Sequence, residues 1–246
     1  MSHRDTAKSV ERNRSLFVEA VGAVSHGERR WPLLAVKQIH SAVIHRASVA
    51  SMETPSGDGL VTNISALALA ITTADCVPVL VADLKRRAVG AFHAGWRGTL
   101  ARIVEKGVGE MRRHFGSLPR DLLAAIGPCI RRCCYAIGPE VRAQFESQFA
   151  YADDLLEEVF DWEAIHVRYP MLFLNQRAPG HGDLSPQTHL DLVEANKRQL
   201  EDAGLREQQI SVVGGCTACD TTRFFSHRAE VGETGRMMAV IGIRPE

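Results

Sequence analysis

The sequence predicts an α/β (α+β) sandwich with mixed sheets, built as one domain. Three observations predict it. The most apolar segments, Ala66–Thr73, Val77–Ala82 and Ala88–His93, are short and bounded by turn or polar residues, which suits buried strands rather than helices. Longer segments near Thr99–His114 and Asp191–Ala203 carry apolar residues at helical spacing. Strands and helices follow one another without strict alternation, so a doubly wound parallel sheet is not expected.

Taken in order, a first helix starts at Ser9 as N-cap. It keeps Val10, Leu16, Phe17, Ala20 and Val21 on one side and stops at Gly22. A strand-like stretch follows at Leu33–His40, then a turn-rich loop at Met52–Asp58. After the three apolar strands comes the helix Thr99–His114, with Leu100, Ile103, Val104, Val108 and Met111 on its buried face and Gly116 as its stop. Leu122–Ile126 reads as a strand ending at Gly127–Pro128, and Pro139–Phe149 as a short helix. No element is assigned over 150–186, where Asp153–Glu163 is acidic and Ala178–Pro186 is turn-rich. The helix Asp191–Ala203 is closed by Gly204, and two late strands, Ile210–Val213 and Met237–Ile243, flank a polar loop. No linker-like segment divides residues 1–246, hence the expectation of a single domain.

Composition narrows the function classes. Lys plus Arg equals Asp plus Glu at 29 each, which argues against a broad electrostatic grip on nucleic acid or an acidic membrane surface. The polar start MSHRDTAKSVERNRS is unlike a secretory signal, and no apolar run approaches the roughly 20 residues a membrane span needs. A cytoplasmic location is expected. The six cysteines then favour burial, catalysis or metal binding over disulfides.

Three polar clusters directly follow buried strands: Lys37-Gln38-Ile39-His40-Ser41, Thr72-Thr73-Ala74-Asp75-Cys76, and His93-Ala94-Gly95-Trp96-Arg97-Gly98. Strand ends are where a rigid scaffold delivers side chains to a site. One Cys and two His from three strand ends match a catalytic zinc set, with a fourth position left for water or substrate. Thiolate and imidazole also suit copper, and suit magnesium or calcium poorly. Spacing alone leaves a second reading open, in which Cys76 and His93 are nucleophile and base of a metal-free cysteine hydrolase. Gly95 and Gly98 around Arg97 resemble an anion-binding turn before a helix, or simply turn the chain. Arg223, Arg228 and Arg236 form a basic group, ordinarily solvated surface and in the sharper reading an anion clamp. Cys216-Thr-Ala-Cys219 is a C-x-x-C without a second pair at zinc-ribbon distance, and Cys133-Cys134 has no obvious partner; burial is expected for these thiols.

The strings KQIHSA, DGLVTN, ITTADCVPVLVAD, VGAFHAGWRGTL, IGPCI and CCYAIGPEV, followed by HLDLVEANKRQLEDAG, CTAC, RFFSHR and TGRMMAVIGI, resemble the YfiH-type purine nucleoside phosphorylase family, also known as laccase-domain or polyphenol oxidase proteins. The resemblance covers about residues 9–245. It implies a layered α/β/β/α sandwich and a metal site, zinc or alternatively copper, made by His40, Cys76 and His93. It implies phosphorolysis of adenosine, inosine, guanosine and methylthioadenosine, together with adenosine deamination. The partners are then purine nucleosides and inorganic phosphate, with no nucleic acid and no membrane; the oligomeric state is open. Two departures stand out. The family's first strand and Gly-Gly-x-Ser loop have no counterpart ahead of the first helix, and the family's C-Y-E-V-G reads Cys134-Tyr135-Ala136-Ile137-Gly138 here, without the glutamate.

On this reading Cys76 and His93 are catalytic as well as ligating. Asp75 is the candidate acid/base group, or else the anchor of its turn. Arg97 is the first candidate to hold phosphate and Arg228 the second, because guanidinium meets phosphate bidentately. The rival functions are a copper-dependent polyphenol oxidase, a cysteine hydrolase acting on a peptidoglycan precursor, and a non-enzymatic metal-stabilised protein.

Overall fold

Thr6, rather than Ser9, caps the first helix, α1 (Ala7–Ala20). The Thr6 hydroxyl accepts the Ser9 N–H at 3.1 Å, so Ser9 lies inside the first turn. These residues belong to a computed structural model that describes residues 5–25, 30–48, 54–160 and 186–245. By contact they divide into two compact units, Met1–Arg131 with Leu192–Glu246, and Arg132–Asp191.

The larger unit holds two sheets. One has the order β1 (Leu33–Ala35), β4 (Ala68–Thr73), β12 (Met237–Gly242), with β1 parallel and β12 antiparallel to β4. The other has six strands in the order β11 (Ile210–Val212), β7 (Leu122–Ile126), β5 (Val77–Asp83), β6 (Ala88–Ala94), β3 (Gly59–Thr62), β2 (Ile44–Arg46). Its inner pairs are antiparallel and its two end pairs parallel, so the sheets are mixed as expected.

Side-chain alternation explains how the layers stack. On β4, Leu69 and Ile71 point into a core shared with Leu60, Val89 and Ala91 of the second sheet. Ala68 points the other way and packs with Val18 of α1 and with Trp31. A period of two thus gives one strand two buried faces, and Ala68–Ile71 are all apolar for that reason. On the far side of β6, Phe92 meets helix α3 (Ile103–Phe115). A Cβ on Gly107 of α3 would fall 2.4 Å from the Phe92 ring, so only glycine lets the helix lie this close. The layers run α1, three-stranded sheet, six-stranded sheet, α3, which is the expected α/β/β/α sandwich.

The predicted helix Thr99–His114 is two helices. A five-residue α2 (Trp96–Leu100) precedes α3, and Arg102 between them is left-handed at φ 57°. The break is held from outside. Helix α6 (Leu192–Asp202) sends Gln199 to the Thr99 carbonyl at 2.7 Å and Asn196 to the Thr99 hydroxyl at 3.0 Å, all of them buried. The Thr99 carbonyl thus accepts twice, from Gln199 and from the Arg102 backbone N–H at 3.0 Å. Gly116 ends α3 with φ 69°, as expected.

In the smaller unit, β8 (Ala136–Ile137), β10 (Gln187–Leu190) and β9 (Leu156–Val159) form an antiparallel sheet in that spatial order, accompanied by α4 (Pro139–Gln148) and α5 (Ala152–Leu155). Ala136 pairs with His189. Short strands β2, β3, β8, β9 and β10 were not expected from the sequence. The turn-rich stretch predicted at Ala178–Pro186 lies, apart from Pro186, outside the described residues, as do the end of the acidic stretch past Phe160 and the start of the loop at Met52.

Candidate metal centre

Three chain segments converge where β4 ends, β5 begins and β6 ends. Between β4 and β5 the chain turns through Asp75, which has φ 94°. That strained turn is clamped. One Asp75 carboxylate oxygen accepts the Thr217 hydroxyl at 2.6 Å, the other accepts the Arg228 backbone N–H at 2.6 Å, and the Asp75 carbonyl accepts the Ile130 N–H. The turn delivers Cys76. His93, buried on β6, stands opposite Pro78 in the sheet register, one turn of the ladder from Cys76.

The third segment, Lys37–Ser41, carries no regular structure and is held by side chains. Gln38 lies along the end of β4, donating to the Thr72 carbonyl at 2.8 Å and accepting the Thr72 N–H at 2.8 Å. Asp58, wholly buried, accepts the backbone N–H groups of Ile39, His40 and Ser41 and the Ser41 hydroxyl. This fixes His40 in a left-handed conformation at φ 57°.

The same Asp58 accepts from His93 Nδ1 at 2.8 Å, so the other ring nitrogen of His93 is turned to the centre. His40 Nε2 is 4.0 Å from Cys76 Sγ, the two imidazoles stand edge to face with centroids 5.0 Å apart, and one donor atom from each of His40, Cys76 and His93 lies within 4.8 Å of the others. Gly95 keeps the space open: a Cβ there would lie 3.0 Å from Cys76 Sγ and 3.2 Å from His40 Cδ2. Two imidazoles, one thiol and a carboxylate behind one imidazole fit a zinc or copper ion in ligand type, number and support.

The electrostatics agree with a ligand set. Burial alone would raise the Cys76 thiol, but hydrogen bonds from His40 and His93 and their charge outweigh it and hold the thiol at about 6. Burial would lower His93, but its bonds to Asp58 and Cys76 lift it to about 9. Asp58, which burial would raise, is held at about 2 by His93 and Ser41. Without a metal, the neutral-pH state is a thiolate facing an imidazolium.

Of the other residues singled out in the sequence, Asp75 adjoins the centre with both carboxylate oxygens engaged elsewhere. Arg97 is exposed and lies over the Trp96 ring, 4.2 Å from its centroid. Arg228 is exposed, with its main chain bound to Asp75. Arg223 and Arg236 line a cavity of about 580 Å³ with Phe17, Phe224, Met237 and Thr72; none of the three candidate ligands is on its wall. The burial expected for Cys133, Cys134, Cys216 and Cys219 does not hold: Cys133 and Cys219 are exposed, Cys134 and Cys216 half-buried, and the buried thiol is Cys129. Both pairs sit on surface turns rather than on the buried strands. Reading the sequence for ligands missed Asp58 and Thr217 as supports. The signal for Asp58 was a single carboxylate directly preceding a fully buried strand, where an unpaired charge would be prohibitive.

The fold is an α/β/β/α sandwich in which two histidines and a cysteine converge as a group that could hold a metal ion. The family model for multi-copper polyphenol oxidoreductase laccase matches residues 1–244, and the chain belongs to that family. It is 35% identical over 240 residues to a purine nucleoside phosphorylase of Deinococcus radiodurans, covering 97% of this chain and 79% of that one. It is 32% identical over 179 residues to the adenosine deaminase RL5 of an unknown prokaryote, covering 73% and 59%. Its fold matches the crystal structure of the hypothetical protein YfiH from Bacillus licheniformis with a TM-score of 0.80 at 29% identity, over 98% of this chain and 83% of that one.

Proposed function

We propose that the protein is a zinc-dependent purine nucleoside phosphorylase, converting adenosine, inosine, guanosine or methylthioadenosine and phosphate to free base and sugar 1-phosphate, with adenosine deaminase activity. The observation that carries this reading is the convergence of His40, Cys76 and His93 with Asp58 behind His93, in a chain whose relatives carry those two activity names. His40, Cys76 and His93 would hold the ion, which when bound supplies a Lewis acid and lowers the pKa of water. Asp58 keeps the second nitrogen of His93 directed at the centre. Asp75, with both oxygens committed to Thr217 and Arg228, acts as the anchor that positions Cys76. Arg97, exposed beside the centre's third strand end, is the residue proposed to hold phosphate, and Arg228 the alternative. The whole chain acts as one functional domain in the cytoplasm. Among the described residues no helix is long and apolar enough to cross a membrane.

The test is product analysis with adenosine and inosine, with and without phosphate, beside Cys76→Ala. Free base that requires both phosphate and Cys76 supports the phosphorylase, and inosine from adenosine supports the deaminase. Absence of both products overturns the reading. One observation favours a second reading, the thiolate–imidazolium pairing of Cys76 and His93, which also suits a metal-free cysteine hydrolase. That enzyme would be inactivated by thiol alkylation and indifferent to chelators, whereas the zinc enzyme loses activity to both.

A further inference from the structure

The cavity of about 580 Å³ has the volume of a small-molecule site and lies wholly in the larger unit. Its walls come from α1, the paired ends of β4 and β12, the loop before β12, and Pro78 and Pro128. Phe17, Phe224, Phe225 and Met237 make the lining apolar and largely aromatic. Charged groups are few. Arg14 reaches the wall from α1 and has no hydrogen-bond or ion-pair partner among the described residues. Arg236 is held by neutral acceptors, donating to the Thr234 and Gly235 carbonyls at 3.1 and 2.8 Å. Arg223 differs, because the Asp220 carboxylate accepts from its Nε and answers its charge. Arg223 also lies over the Phe224 ring, 5.3 Å from the centroid. Asp5 is the one carboxylate among the described lining residues. Two arginines of unanswered charge against one carboxylate leave an excess of one positive charge.

We propose that this cavity is a binding site for a planar aromatic monocarboxylate, separate from the metal centre. The ring packs among Phe17, Phe224 and Phe225, and the carboxylate charge is answered by Arg14 and Arg236. The proposal does not rest on the nucleoside reading, since His40, Cys76 and His93 are all absent from the wall.

Three features select this class of ligand. Phenylalanine rings favour another ring stacked with an offset or met edge to face, and the methionine side chain adapts to the remaining space. Apolar walls lower the local dielectric and strengthen the pull of a cation excess on an anion, while guanidinium matches a carboxylate bidentately. The charge balance sets the valence. A neutral ring would cover Arg14 and Arg236 without pairing them, and a dianion would bring in a charge with no partner. The basic group seen in the sequence thus acts as an anion clamp through Arg236, whereas Arg228 is not on the wall.

The experiment is calorimetry of the full chain with 2-naphthoate and with its neutral isostere 2-naphthamide. The expected result is one naphthoate per chain, bound at least about tenfold more tightly than the amide. The double variant Arg14→Gln/Arg236→Gln should lose that advantage while binding the amide as the wild type does. The retained amide affinity shows that the variant cavity is folded. Cys76→Ala, which disables the metal centre, should bind naphthoate unchanged. Equal affinity for the two probes, or no binding of either at millimolar concentration, would overturn the proposal. So would loss of naphthoate binding in Cys76→Ala or its displacement by adenosine, which would place the probe in the metal centre's own substrate site. An inactive enzyme that still binds naphthoate in this way would sink the nucleoside reading and leave the cavity's assignment standing.

Discussion

His93 Nδ1 lies 2.8 Å from Asp58 Oδ1, with the His93 side chain 4% and the Asp58 side chain 0% exposed. This pair joins two functions that the chain keeps far apart in sequence. Asp58 holds the Ile39–Ser41 backbone that carries one histidine and orients the ring of the other.

Weakening that carboxylate should therefore weaken the metal site from two sides. Asp58→Asn keeps the size and one acceptor oxygen but loses the charge. The expected loss of metal affinity is about 10- to 100-fold, the usual scale for such supports, read by competition with a chromogenic chelator. Unchanged affinity would remove Asp58 from the centre's machinery.

Metal uptake should release a proton. Between about pH 6 and about pH 9, Cys76 is already thiolate while His93 is still protonated, so binding displaces the His93 proton. Apparent affinity then rises by up to about tenfold per pH unit over that window and levels off above it. Calorimetry in buffers of different ionisation enthalpy should count about one proton per metal ion. A count of zero at pH 7.5 would contradict the pairing.

Acid stability of the chelated protein carries the Asp58 signature. The folded-state pKa is depressed from 3.8 to about 2, so the folded state binds the proton less readily than the unfolded one. The contribution is fully present above 3.8 and is lost as pH falls through about 2. Its size is about 2 kcal/mol. In urea titrations between pH 5 and 2 the wild type should lose that increment and Asp58→Asn should not. Parallel curves for the two proteins would refute the assignment.

Phosphate recognition is the most exposed part of the proposed function. Arg97→Ala should raise KM for phosphate about tenfold or more, since a charge-assisted contact contributes about 1.5–3 kcal/mol, with zinc content unchanged. The Trp96 stacking partner remains, so the effect should not come from unfolding. An unchanged KM would pass the role to Arg228.

Much of the scaffold was legible. Leu122–Ile126 was placed to the residue, and β5 and β6 to within one, because a buried strand between turn formers leaves few alternatives. Residues Thr99–His114 misled because apolar spacing continues across Arg102. At the break Thr99 is bound by Asn196 and Gln199, about 100 positions away, which no local pattern reveals. The two- to four-residue strands escaped for a similar reason: their pairing partners define them, not their own composition.

At the site, the sequence by itself singled out three side chains whose donor atoms suit a metal ion. His40, Cys76 and His93 stood out because thiol and imidazole follow apolar segments in three motifs that the family resemblance groups together, while their spacing alone left a metal-free reading open. Only the tertiary structure decided that the three donors meet within 4.8 Å, that Asp58 supports two of the three segments, and that the Asp75 carboxylate is spent on Thr217 and Arg228. Residue type fixes what an atom can bond to. Which partner it finds depends on strand order and register, and these are set by the packing of two whole sheets.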